Sequence, residues 1–171
     1  EGGGFKNPKD VSTMVLLPLV RSKVDVPIIA AGGFVDGASM AAAFALGAEA
    51  VQMGTRMVSA AESPVHSNWK DAIVGAKETD TVFLNRSHSP ALRALRTEKT
   101  TRLEFDVETN AMTEFGSAVD LYFGGDMESS IALTGQVAGR IDSVRGVAEI
   151  IEEVRSEFFE VIGALSDQYI D

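Results

Sequence analysis

The sequence contains no cysteine. This absence excludes disulfide frameworks, thiolate zinc sites, iron–sulfur clusters and cysteine nucleophiles. Nothing in the composition therefore requires an oxidising compartment, and we expect a cytoplasmic location.

Basic residues are few compared with acidic ones. Fifteen Lys and Arg against 25 Asp and Glu give a formal net charge of -10. Such a charge repels the phosphates of DNA and RNA and the anionic face of a membrane. We therefore expect neither a nucleic acid nor a membrane among the partners.

Long hydrophobic runs are also missing. A membrane-spanning helix needs about 20 consecutive apolar residues, and the longest apolar runs are interrupted by Pro18, by Gly32-Gly33, and by Gly47 with Glu49. The sequence begins without Met and without the basic-then-apolar pattern of a signal peptide. We expect a soluble protein that is a piece of a longer chain. The 171 residues, 45% hydrophobic and 23% charged, are typical of one globular domain.

The first third of the sequence has the pattern of a βαβ unit. Apolar residues at helical spacing predict a helix over residues 11–24, with Pro18 as a distortion. The β-branched run at residues 26–31 predicts a strand that is buried on both faces of a parallel sheet. A second apolar run at residues 48–53 predicts the neighbouring parallel strand.

An alanine-rich segment connects these two strands. It predicts a helix that begins at Asp36 or Ser39 and ends at Leu46. Gly47 then takes the left-handed conformation that ends many helices. This helix completes the βαβ unit.

Later segments have separate patterns. In chain order, they predict a helix at 67–76, a strand at 81–84, a basic helical turn at 91–96, a helix around 130–141 and an amphipathic helix at 147–162. We find no internal repeat.

Small residues end both predicted parallel strands. Gly32-Gly33 follows the first strand and Gly54-Thr55 follows the second. Such turns lie at the same edge of a sheet, where backbone N–H groups, a threonine hydroxyl and a helix N-terminus after each turn favour a phosphate. In (β/α)8 barrels the loops after strands 7 and 8 form the usual phosphate site. The alternative is that the glycines only make tight turns.

Several runs of residues are shared with a known family. They are Val26-Pro27-Ile28-Ile29-Ala30-Ala31-Gly32-Gly33, Asp36-Gly37, Leu46-Gly47-Ala48, Val51-Gln52-Met53-Gly54-Thr55-Arg56, Glu62-Ser63-Pro64, Arg93-Ala94-Leu95-Arg96 and Gly135-Gln136-Val137-Ala138-Gly139. Together these runs resemble the nitronate monooxygenases, formerly called 2-nitropropane dioxygenases. They also resemble the flavin-dependent enoyl-acyl-carrier-protein reductases, which share that fold. The resemblance covers nearly the whole chain.

The resemblance implies an α/β fold, the C-terminal portion of an FMN-binding (β/α)8 TIM barrel plus a small, mostly helical domain. The last βα units of the barrel, with the phosphate-binding end, would occupy residues 1–60. An inserted or appended small domain would occupy residues 61–130. C-terminal helices that pack on the barrel would occupy residues 131–171.

The same resemblance implies a set of cofactor-binding residues. Those expected to contact FMN are Gly3, Gly4, Ala31, Gly32, Gly33, Gln52, Gly54 and Thr55. The two small-residue turns would hold the FMN phosphate, Gln52 would point toward the flavin, and Gly3 and Gly4 would lie against it. No catalytic metal is expected, because the aspartates and histidines lack metal-ligand spacing.

One residue departs from the family pattern at a position that matters for catalysis. The family reads Glu-Ala-Gly-Gly-His or Glu-Ser-Gly-Gly-His where this chain reads Glu-Gly-Gly-Gly-Phe, so Phe5 stands at the position of the acid/base histidine. Phenylalanine cannot transfer a proton. His66 and His88 lie in segments away from that position and are expected to be surface or structural residues. The catalytic residue therefore stays unknown.

Three functions remain open on this basis. The first is an FMN-dependent oxidoreductase that oxidises a small nitronate-like carbon acid with dioxygen. The second is an enoyl-thioester reductase that uses NAD(P)H as electron donor. The third is a non-catalytic phosphate- or nucleotide-binding module, or an interaction subunit.

The resemblance also implies that most of the barrel is absent. Only strands seven and eight would be present, whereas a barrel needs eight strands and usually about 250 residues. The chain could be a fragment, one chain of a split enzyme completed by an N-terminal partner, or a self-associating protein, and we favour a fragment. The exposed strand edges of such a remnant predict self-association.

Overall fold

A computed structural model of the protein describes residues 1–9 and 11–170. The helices are α1 (Thr13–Arg21), α2 (Gly37–Ala45), α3 (Thr55–Val58), α4 (Ser67–Val74), α5 (Glu98–Phe105) and α6 (Val147–Tyr169). The strands are β1 (Gly4–Lys6), β2 (Ile29–Ala31), β3 (Ala50–Gln52), β4 (Thr81–Leu84) and β5 (Ala91–Leu95). Short helical turns of other types occur at Ala111–Glu114, Asp120–Gly124 and Gln136–Arg140. Within the described ranges, no helix is both long and apolar enough to cross a membrane.

The predicted βαβ unit is present. Strands β2 and β3 are parallel, with Ala30 opposite Val51. Helix α2 begins with a capping box in which Asp36 accepts from the Ser39 amide at 2.8 Å. Gly47, with φ +100°, follows the end of this helix as predicted. The unit is held together by a small apolar core of Leu17, Ala30, Phe34, Ala43 and Ala48.

The prediction that residues 26–31 form a strand buried on both faces is wrong. Strand β2 covers only its last three residues, and the side chain of Ile29 is 65% exposed. Val26 is exposed as well, as are Met14 and Leu19 on α1. Among the described residues, nothing covers this face of β2.

A second sheet joins the N-terminus to the middle of the chain. Its three antiparallel strands lie in the order β1-β5-β4, with Phe5 opposite Leu92 and Phe83 opposite Arg93. The predicted helical turn at residues 91–96 is therefore wrong, because β5 occupies most of it as the central strand. One face of the sheet packs against α5 through the buried side chains of Leu92 and Leu103.

The predicted helix around residues 130–141 is also wrong over its first half. Residues 131–135 form neither helix nor strand, and Ala132 accepts a hydrogen bond from the Leu95 amide at 2.9 Å. A 3-10 turn follows at Gln136–Arg140. The buried apolar residues of this segment pack against two cores, that around Leu92 and that around Trp69, so they are not one face of a helix.

Helix α6 packs along α2 at very short range. The Glu157 carboxylate accepts from the Gly37 amide at 2.7 Å, and the rings of Phe44 and Phe158 meet edge to face at 5.1 Å. A Cβ atom on Gly37 would overlap the backbone of Phe158. The helix extends to Tyr169, beyond the predicted end at 162.

Candidate functional site

A cavity of about 270 Å³ lies where the two parallel strands end. All of the residues predicted to contact a cofactor line it: Gly3, Gly4, Ala31, Gly32, Gly33, Gln52, Gly54 and Thr55. The structure thus brings together three segments that are distant in the sequence. Its wall also contains residues that sequence reasoning missed, namely Gly2, Lys6, Phe34, Val58, Leu133 and Val137.

Some of the glycines in this wall serve backbone packing. A Cβ atom on Gly2 would lie 2.8 Å from Gly32 Cα, and one on Gly3 would lie 2.7 Å from Gly135 N. Gly32 and Gly33 have φ values of +98° and +91°, which residues with a side chain rarely adopt. The backbone therefore requires glycine at these four positions, with or without a ligand.

Other glycines are not explained by packing. A Cβ atom on Gly54 would meet no atom within 4 Å, and Gly54 has an ordinary φ of -82°. Gly4 is equally open, but its φ of +86° itself favours glycine. Both residues line the cavity. Their missing side chains therefore leave space in the cavity itself, where a ligand can approach the backbone closely.

Thr55 supplies a hydroxyl at the start of α3. The side chain is 8% exposed, and its oxygen accepts a hydrogen bond from the Gly135 amide at 2.9 Å. A hydroxyl that accepts still has one proton to donate. Among the described residues, no side chain caps α3 at Gly54, so the first turn of this helix also has backbone N–H groups available as donors.

Helix α2, which follows the Gly32-Gly33 turn, differs from α3. The amide of Gly37 is bonded to Glu157, and that of Ser39 to Asp36. The first turn of α2 is thus bonded to carboxylates and does not line the cavity. The helix after each glycine turn was expected to direct its N-terminus toward an anion. For α2 this expectation is wrong.

A buried arginine, Arg56, holds α3 in place from outside the cavity. Arg56 is 5% exposed, and its Nη1 donates to the Ser143 carbonyl at 2.9 Å. Burial lowers the pKa of this guanidinium, as does the charge of Arg145, whereas the carboxylates of Glu153 and Asp142 oppose that shift. An arginine nevertheless stays protonated at neutral pH. The side chain next to Thr55 therefore fixes the helix in place and lies outside the cavity.

Glu1 fixes the other wall. Its carboxylate accepts from the Thr13 hydroxyl at 2.7 Å, at the start of α1, and its carbonyl accepts from the Gln136 amide at 2.9 Å. The segment that contains Gly2 and Gly3 is thereby held between α1 and the 3-10 turn. Sequence reasoning did not identify this role, because the contacts join residues that are far apart in the chain.

Phe5, at the position of the family's acid/base histidine, does not line the cavity, and neither do His66 and His88. Phe5 is 57% exposed and stacks on Phe115 at 6.1 Å between ring centroids. His66 accepts from the Asn68 amide and caps α4, and His88 lies in the turn between β4 and β5. Within residues 1–9 and 11–170, no group of three or more His, Asp and Glu side chains could hold a metal ion.

Comparison with known proteins gives consistent results. The family model described as nitronate monooxygenase matches residues 1–157. A probable nitronate monooxygenase of Staphylococcus aureus is 44% identical over 85 residues, which are 47% of this chain and 24% of that protein. FabK from Thermotoga maritima aligns over 98% of this chain and 54% of its own, with 41% identity and a TM-score of 0.90. The nitroalkane oxidase from Streptomyces ansochromogenes aligns over 96% of this chain and 51% of its own, with 25% identity and a TM-score of 0.73.

The chain thus spans about half the length of these solved structures and about a quarter of the curated relative that it matches. The predicted fold class is confirmed: the chain is α/β and has the C-terminal portion of a (β/α)8 barrel. The match to the family model covers most of the sequence. The chain therefore belongs to the nitronate monooxygenase family of oxidoreductases.

Proposed function

We propose that this chain supplies the phosphate-binding part of an FMN site in an enzyme that oxidises a small nitronate-like carbon acid with dioxygen. The observation that carries the proposal is the cavity at the ends of β2 and β3. Six of the 14 residues in its wall are glycines, and a Cβ atom on Gly54 would meet no atom within 4 Å. A phosphate group fits such a wall, because backbone donors can approach it without obstruction.

Each group of residues has a distinct part in this proposal. Gly32, Gly33 and Gly54 would present backbone to the phosphate, and the Thr55 hydroxyl would donate a hydrogen bond to one of its oxygens. Ala31 and Gln52, at the ends of β2 and β3, and Gly3 and Gly4, near β1, would lie against the flavin. Apolar residues of the same wall would exclude water: Phe34, Val58, Leu133 and Val137. FMN, when bound, would supply the electron transfer between the carbon acid and dioxygen.

A second candidate is a flavin-dependent enoyl-thioester reductase with NAD(P)H as electron donor. Two observations favour it. The identity to FabK is 41%, compared with 25% for the nitroalkane oxidase. Phe5 also stands where the nitronate enzymes have their proton-transferring histidine. A third candidate, a non-catalytic phosphate- or nucleotide-binding module or an interaction subunit, would need no flavin.

An absorbance spectrum of the purified protein, with and without added FMN, separates these candidates. We expect the visible absorbance bands of a flavin to co-elute with the protein. Consumption of dioxygen with propane-2-nitronate would then support the first candidate, and oxidation of NAD(P)H by an enoyl thioester the second. A protein that stays colourless and takes up no FMN would contradict both.

The phosphate end of FMN would bind to this chain alone, whereas the far side of the flavin ring needs more of the barrel than this chain contains. We propose that the missing N-terminal half, or a partner chain that supplies it, covers the exposed face of β2 and α1, and that residues 1–60, 61–130 and 131–171 form the three parts described above. The packing of α6 on α2 supports the assignment of the last part. A small-molecule substrate and a cytoplasmic location complete the proposal.

Without that half, the exposed face predicts self-association. We expect the purified chain to form oligomers whose fraction rises with concentration in sedimentation velocity experiments. Ile29→Lys should shift the chain toward the monomer, because a charge would then lie on the exposed face. Val107→Lys is the matched control, because Val107 is similarly exposed, at 61%, but lies outside this face. A compact monomer at all concentrations would contradict the prediction.

A further inference from the structure

A second cavity, of about 120 Å³, lies outside the candidate cofactor site. It is lined by the start of α2, by α3, by residues 140–145 and by α6, and it shares no residue with the cavity at the ends of β2 and β3. Thr55 and Arg56 are consecutive in α3 but line different cavities. The second cavity is therefore a separate space on the other side of this short helix.

The charged side chains in the wall of the second cavity are paired, with one exception. Each carboxylate of the wall is bonded within the chain: Asp36 to Arg140, Asp142 and Glu153 to Arg145, and Glu157 to the Gly37 amide. By contrast, no carboxylate in the described part of the chain lies within 4 Å of the Arg56 guanidinium. Within that part of the chain, Arg56 is thus the charged side chain of this wall that has no counter-ion.

The Arg56 guanidinium also has hydrogen-bond donors to spare. Its Nη1 donates to the Ser143 carbonyl at 2.9 Å and to Ser59 Oγ at 3.5 Å. Nε and Nη2 have no acceptor among the described residues, and neither nitrogen is completely shielded from solvent. Because Arg56 is 5% exposed and lines the cavity, this remaining access is through the cavity. The N–H groups of Nε and Nη2 lie parallel on one edge of the guanidinium, the arrangement that binds both oxygens of a carboxylate.

The other parts of this wall decide which kind of anion fits. Four aliphatic side chains, all buried, line the cavity: Val35, Ile141, Ile150 and Val154. A buried charge without a partner is unfavourable, so the guanidinium favours an anion beside it. Only one positive charge is left without a counter-ion, and the carboxylates of the wall repel a second negative charge. An anion with a single charge and a short alkyl group therefore matches both the cation and the aliphatic wall.

We propose that this cavity binds a short-chain monocarboxylate, such as acetate or propionate, with its two oxygens on Nε and Nη2 of Arg56. Its alkyl group would lie against the aliphatic side chains. The volume of about 120 Å³ exceeds the roughly 10–15 Å³ that one water molecule requires, so the space is large enough for a small organic anion. This inference is independent of the proposed reaction, because it uses no residue of the cavity assigned to FMN.

NMR of the Arg56 side chain in the unchanged chain tests the proposal directly. We expect sodium acetate to shift the Nε–H signal of Arg56 until the site is saturated. Sodium chloride at the same ionic strength, and acetamide, which is uncharged but similar in shape, should leave the signal in place. The Nε–H signal of Arg21 is the internal control. Arg21 also donates from Nη1 to a backbone carbonyl, that of Val24 at 3.1 Å, but it is exposed and does not line this cavity.

A substitution gives a second readout. Arg56→Lys keeps the charge but loses the paired donors, so the affinity for acetate, measured by saturation-transfer NMR on its methyl protons, should fall about tenfold or more, the value of one hydrogen bond between charged groups. Arg21→Lys should bind acetate as the unchanged chain does. Thermal melting checks that each variant is folded, and if Arg56→Lys does not fold, the Arg56 signal of the unchanged chain decides alone.

The outcomes that contradict the proposal are distinct. If acetate, chloride and acetamide shift the Arg56 signal alike, or if none of them does, the cavity holds only water and the proposal is wrong. If folded Arg56→Lys binds acetate as tightly as the unchanged chain, the carboxylate binds elsewhere and the assignment of Arg56 is wrong. Because no FMN is present in these experiments, neither result bears on the proposed function.

Discussion

Replacing Gly54 with leucine is expected to abolish FMN binding while the chain stays folded. A Cβ atom at this position meets nothing within 4 Å, so the backbone tolerates a side chain. The added isobutyl group would project into the cavity and occupy the space assigned to the phosphate. The loss of two or more hydrogen bonds to a charged phosphate lowers the affinity for FMN by a factor of at least about 100.

The measurement is FMN titration followed by fluorescence quenching, with thermal melting of the FMN-free protein as the check of folding. Gly163→Leu is the matched control, because Gly163 is also open to 4 Å but lies in the exposed part of α6. Gly33→Leu is a poorer probe, since φ at Gly33 is +91° and a Cβ atom would lie 3.1 Å from Glu1 Cβ. If Gly54→Leu bound FMN as tightly as the unchanged chain, the phosphate would not lie at this turn.

The parts of the fold that could be predicted from the sequence are those specified by local signals. The Asp36 cap, the alanine-rich helix and Gly47 mark α2 within one stretch of sequence, and each of them is where it was predicted. Strand β4 also has its predicted bounds. Such signals need no knowledge of the rest of the chain.

The errors occur where distant segments decide the structure. β5 has the composition of a short helix, but it forms the centre of a sheet because β1 and β4 pair with it on either side. Residues 131–135 lie beside β5 for the same reason, because Ala132 accepts a hydrogen bond from Leu95. Non-local pairing overrides the intrinsic preference of both segments.

The same distinction applies to the candidate site. The glycine turns are visible in the sequence, since glycine after a buried strand is a local signal. Lys6, Leu133 and Val137 join the wall only because β1 pairs with β5 and because the Gln136 amide bonds to the Glu1 carbonyl. The register of β1 also decides that Lys6, and not Phe5, faces the cavity. No pattern within residues 1–6 specifies that register.

The contact between α2 and α6 gives the largest expected effect on stability. Gly37→Ala would place a methyl group against the backbone of Phe158 and 2.6 Å from the Glu157 carbonyl carbon. Backbone cannot move aside as a side chain does, so the two helices must separate. We expect a loss of about 3 kcal/mol in the free energy of unfolding, the upper part of the range for overpacking. Urea denaturation followed by circular dichroism measures it.

Gly163→Ala is the control, and its expected change in the free energy of unfolding has the opposite sign. It makes the same chemical change within α6 itself, at a position where the new methyl group meets nothing within 4 Å. Alanine in a helix interior is more favourable than glycine by about 0.5–1 kcal/mol, so this variant should be more stable. If Gly37→Ala and Gly163→Ala shifted the unfolding midpoint in the same direction, α6 would not pack on α2 as described. The opposite signs would establish that the C-terminal helix is held in place by this glycine contact, and not only by its buried side chains Ile150 and Val154.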